Sequence, residues 1–100
     1  MTPIGESIMV QASRTSGVLT ASAIVNRGQC KLMSIHVCET AGALAQIKVF
    51  DGTSNSGVEI ARLILAAGQT VEFDMHGVLC KTGLYFEETT GAVACSIEFQ

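Results

Sequence analysis

The chain has 100 residues, of which 48% are hydrophobic and only 15% charged, with a net charge of −3. That length makes one domain over 1–100, able to bury roughly 65% of the surface its unfolded form exposes. The six basic residues, Arg14, Arg27, Lys31, Lys48, Arg62 and Lys81, are scattered, which argues against direct nucleic-acid binding. No apolar run is long enough to cross a bilayer as a helix.

The elements follow a period of two rather than 3.6. The opening "MTPIGESIMV" has neither a basic n-region nor a long apolar stretch, so a cytosolic start is expected. Pro3 precedes a first strand over 6–13, and a second is expected over 18–26. In "CKLMSIHVCE", a strand over 30–38, Met33, Ile35 and Val37 alternate with Leu32, Ser34 and His36. In "ALAQIKVF" (44–50), Ala45, Ile47 and Val49 oppose Leu44, Gln46, Lys48 and Phe50. A strand over 58–65 follows. "TVEFDM" (70–75) places Val71, Phe73 and Met75 on a core face, and a further strand spans 78–86. The last strand, 92–99, alternates most cleanly, with Val93, Cys95, Ile97 and Phe99 on one face. "AGALAQIKVF" and "GVEIARLILAA" could be short helices, but β-branched residues and close Gly punctuation favour strands. The expected fold is all-β: a single antiparallel β-sandwich or jelly roll of about eight short strands.

Four groups of residues could carry chemistry. "DGTSNSG", Asp51 to Gly57, resembles a cation loop only in part. An EF-hand loop started at Asp51 would put Arg62 where its bidentate Glu belongs. A turn is favoured, with Asp51 and Asn55 bonding to nearby backbone. His36-x-Cys38 and His76-x₃-Cys80 offer nitrogen and sulfur, but no C-x₂-C pair is present, so no metal is expected. Cys30, Cys38, Cys80 and Cys95 are expected as thiols in a reducing cytosol. No nucleophile elbow, phosphate loop or H-E-x-x-H is present, and Glu87 and Glu88 point to opposite faces of a strand. The chain is therefore read as no enzyme, with no cofactor.

The composition itself points to partners. A domain this small has little core volume for so many apolar side chains, so some apolar area is expected to be covered by other molecules. The interface candidates are Leu44 and Phe50, opposite the Ile47–Val49 stripe, then Tyr85, which alternates out beside Phe86, and then Leu63 and Leu65.

The segments "IKVFDGTSNSGVEIARL" and "VLCKTGLYFEETTGAVACSIEF" resemble small β-sandwich or jelly-roll virion proteins of tailed bacteriophages. The shared pattern runs from Phe50 to Ser54, through Gly57 and Ile60-Ala61, to Gly83-Leu84, the Thr90 to Ala92 turn and the strand Val93 to Phe99. It covers roughly residues 29–100. The resemblance implies a non-enzymatic capsid decoration, or cement, protein, made in the host cytoplasm and placed on the capsid surface of the virion. Its partners would be the major capsid protein and copies of itself, as a homo-oligomer such as a trimer. The alternative it implies is a head-fibre or tail-associated module recognising a host-surface glycan.

Overall fold

The computed structural model describes residues 12–100, and among these every regular element is a strand. In chain order they are β1 (Arg14–Leu19), β2 (Ala23–Asn26), β3 (Cys30–Glu39), β4 (Ala45–Asp51), β5 (Val58–Leu65), β6 (Thr70–Cys80), β7 (Leu84–Thr90) and β8 (Val93–Phe99). The strand expected over 6–13 lies outside the described residues, except 12 and 13, which are not in a strand. The stretch expected as one strand over 18–26 is two, divided by a turn. "AGALAQIKVF" and "GVEIARLILAA" supply β4 and β5.

The antiparallel pairs nest: β1 with β8, β2 with β7, β3 with β6, and β4 with β5. Such nesting is one long hairpin whose tip is the β4–β5 loop. Rolling the hairpin brings β3 against β8 and β4 against β7. Two four-stranded sheets result, ordered β1-β8-β3-β6 and β2-β7-β4-β5. This is the strand order of a jelly roll, a sandwich built from two Greek keys. The core lies between the sheets, with Leu32, Ile35, Ile47, Leu65, Leu84, Phe86 and Ile97 fully buried in it.

Bulges reset the side-chain phase in ways a strict alternation misses. On β3, Leu32 opposes Phe99 and Ser34 opposes Glu98, so Met33 is an extra residue. Leu32 therefore joins Ile35 and Val37 in the core, and Met33 is half-buried instead of lining the core stripe. Opposite Met33, β6 inserts Met75, His76 and Gly77 between Asp74 and Val78. His76 and Gly77 both take positive φ, 59° and 83°. The insertion turns Val78 and Cys80 inward, so β6 continues to Cys80. The strand expected over 78–86 is broken by the turn at 81–83, and β7 begins at Leu84.

Candidate functional site

The loop "DGTSNSG" is a turn, and its carboxylate is already engaged. Asp51 Oδ2 accepts the Lys81 N–H at 2.9 Å, and Oδ1 accepts those of Thr82 at 2.9 Å and Gly83 at 3.3 Å. These bonds, from Thr82 first and then Lys81, hold its carboxyl below the ordinary aspartate range. Asp51 thus ties the β4–β5 loop to the β6–β7 turn. Backbones meet closely there: Gly52 N–H donates to Gly83 O at 3.2 Å. A Cβ at Gly57 would lie 2.4 Å from Asp51 O, and one at Gly83 would lie 2.7 Å from Gly52 O. Glycine is required by that contact rather than by a cation.

Glu39 does the same at the other end of the sandwich. Its carboxylate accepts backbone N–H groups from Ala41, Gly42 (2.9 Å) and Gly68 (2.7 Å). The Gly68 bond is the main reason its carboxyl is held below the ordinary glutamate range. Pattern reading missed Glu39, because a carboxylate inside an apolar strand carries no mark of the turn it binds.

The outer face of the β1-β8-β3-β6 sheet carries a polar ladder. Ser34 Oγ donates to Glu98 Oε1 at 2.7 Å and lies 3.0 Å from His36 Nε2. His36 Nδ1 lies 3.5 Å from Glu72 Oε2. The Ser34 hydroxyl, followed by Ser13, keeps the Glu98 carboxyl below its ordinary range. Serine, histidine and acid in sequence resemble a hydrolase triad, but the protons run the wrong way. With the Ser34 hydroxyl donating to the Glu98 carboxylate, the His36 contact needs an N–H at Nε2, and that nitrogen cannot then act as the base for Ser34. Beside the ladder is a shallow cavity of about 240 Å³ lined by Val18, Cys38, Thr70, Ala94 and Ser96 among others. No group of three or more His, Cys, Asp or Glu among the described residues is placed to hold a metal.

On the outer face of the other sheet, Phe50 and Tyr85 pair across strands, their rings 6.3 Å apart and tilted by 51°. The expected outward direction of both is correct. Phe50 is nonetheless only 5% exposed, although it lies outside the inter-sheet core cluster. Tyr85 is half-buried. Leu65 is fully buried and Leu63 packs against the core, because both alternate inward on β5. Phe50, Leu63 and Leu65 are therefore not free surface, whereas Leu44 is exposed as expected.

The exposed large hydrophobic side chains among the described residues are Val18, Leu44, Val58, Ile64, Phe73 and Leu79. All but Leu44 stand on edge strands: β1, β5 and β6. Phe73, expected in the core, faces inward beside Ile35 but sits at the sheet margin, 46% exposed. Ile64, the outward residue between Leu63 and Leu65, is 62% exposed. Alternation within β5 separates Ile64 from Leu63 and Leu65 without saying which face is outward; for Phe73 only knowledge of the strand order would have served.

Comparison with protein-family models, with curated proteins and with solved structures finds no match for this chain.

Proposed function

We propose that this chain is a structural virion protein, a capsid decoration protein that binds the major capsid protein and copies of itself on the outside of the head. One observation carries the reading: among the described residues, every large apolar side chain left in solvent except Leu44 stands on a sheet margin, where a neighbour in an assembly would cover it. Burying such residues at subunit seams contributes about 25 cal/mol per Å² before ordering costs are subtracted. The motif resemblance over residues 29–100 supports the same reading.

The margins also favour side-chain docking over strand addition. Each edge strand carries the extra residue or residues of a bulge: β1 between Thr15 and Val18, β2 at Val25, β5 at Ile60 and β6 at Met75 to Gly77. Bulges twist an edge away from a flat partner and limit open-ended β-pairing. A closed, finite assembly is the expected outcome.

The test is cosedimentation of the purified protein with phage heads assembled from a major capsid protein, with sedimentation equilibrium of the protein alone. The expected result is a small closed oligomer that binds heads saturably and raises their resistance to heat. A monomer that leaves heads unbound overturns the reading, and saturable binding to surface glycans instead would establish the fibre or tail alternative.

A further inference from the structure

We infer that Cys30 and Cys80 form a disulfide-linking pair, joined across β3 and β6 by a small-molecule disulfide oxidant such as glutathione disulfide while the protein stays folded. The two residues are direct cross-strand partners. Both are buried, at the same end of the sandwich, and both are free thiols in the structure. The neighbouring Lys31 exchanges both backbone hydrogen bonds with Gln100 on the β8 side. Backbone groups alternate along a strand, so those of Cys30 are aimed at β6. A hydrogen-bonded antiparallel pair of that kind has Cα atoms about 5.5 Å apart, inside the range a disulfide spans. The other cysteines lack such a partner: Cys38 faces Thr70 and Ala94, and Cys95 faces Val37 and Leu19.

The surroundings set the order of events. Cys30 lines an open cavity of about 260 Å³ with Gln29, Lys31, Leu79 and Gln100, whereas Cys80 is fully enclosed. Burial pushes both thiols up, Cys80 to about 12. The hydrogen bond between them favours the Cys30 thiolate at the expense of that of Cys80. Cys30 is therefore the first nucleophile. Its thiolate attacks one sulfur of the oxidant, the oxidant's S–S bond breaks, and one thiolate leaves. The Cys80 thiolate then attacks the Cys30 sulfur of the mixed disulfide and expels the second. Two protein thiols are oxidised, the oxidant is reduced to two thiols, and the two protein protons pass to them. Because thiolate is the reactive form, the reaction quickens as pH rises.

The link would close a ring containing β3 to β6, with strands from both sheets, and so restrict the unfolded chain strongly. The inference does not depend on the capsid reading. The native protein is incubated with glutathione disulfide at pH 7 and pH 9, thiols are blocked, and intact mass, peptide map and Tm are measured. Expected are the loss of two hydrogens, a peptide joining Cys30 to Cys80, faster formation at pH 9, and a Tm raised by about 10 °C that a reductant reverses. Cys38→Ser/Cys95→Ala should keep all of these, and Cys80→Ala should stop at a glutathione adduct on Cys30. If the wild-type protein, folded throughout, retains both thiols or acquires only an adduct on Cys38, the inference is overturned.

Discussion

The central strands and the edge strands of this sandwich obey different rules. β8 and β3 in one sheet, with β7 and β4 in the other, expose no large hydrophobic side chain; β1, β5 and β6 expose five. A central strand is paired on both sides and covered on its inner face by the opposite sheet, so its apolar positions are fixed by the core. An edge strand has one flank open, and an inward-facing residue there can still meet solvent. The lesson is that the direction of a side chain and its burial are separate quantities, and the margin is where they part.

The largest expected effect contrasts two phenylalanines. Phe86 is fully buried on central β7, whereas Phe73 is half-open on edge β6. Phe86→Ala should cost roughly 3–5 kcal/mol, the cavity adding to the lost transfer energy. Phe73→Ala should cost about 1 kcal/mol, because much of that ring is in water already. Urea unfolding midpoints check both, and equal losses would erase the distinction between centre and edge.

A second contrast concerns the turns that the central strands tie down. Gly57→Ala would push a methyl group into the backbone of Asp51, at the end of central β4, and should cost about 2–3 kcal/mol. Gly28, in the turn between edge β2 and β3, has open space where a methyl group would sit, with nothing within 4 Å, and no positive φ. Gly28→Ala should therefore be neutral or stabilising by about 0.5 kcal/mol. Thermal melts of the two variants separate a glycine held by contact from one that is only convenient.

The same central strands should set the acid limit. Asp51 ends β4 and Glu39 ends β3, and backbone N–H groups hold both carboxyls below their ordinary values of 3.8 and 4.5. A lowered folded-state pKa stabilises at pH values above the unfolded one, and the contribution is lost as pH falls through the folded value. Stability should hold level down to about pH 4.5 and then decline. Asp51→Asn and Glu39→Gln should each flatten that decline while lowering stability at neutral pH, as followed by denaturation midpoints across pH.

How much could be read beforehand divides along the same line. β8 and β4 were legible because strict alternation over Val93 to Phe99 and Ala45 to Val49 leaves one assignment of faces. Met33 departs from its expected place because a bulge adds one residue and leaves no trace in composition. Leu63 and Leu65 read as surface candidates because "RLIL" is apolar on both faces, and pattern alone does not say which face meets the other sheet. The roles of Asp51 and Glu39 depend on turns about 30 residues away in sequence, which local spacing does not encode.

The smallest effect on folding should be the most telling about function. Ile64→Lys places a charge on the outer face of β5, at a position already 62% exposed. Its side chain adds little to the core, so the unfolding free energy should change by no more than about 0.5 kcal/mol. If the margins are docking surface, the same substitution should abolish self-association and head binding, because an interface that buries Ile64 would have to bury an unpaired ammonium. Ala94→Lys, on central β8, is the comparison: it is half-buried on the outer face of the opposite sheet, remote from β5. Sedimentation equilibrium of both variants beside wild type reads the difference. Loss with Ile64→Lys and retention with Ala94→Lys would assign assembly to the β5 margin, while retention in both would leave Ile64 without a partner to meet.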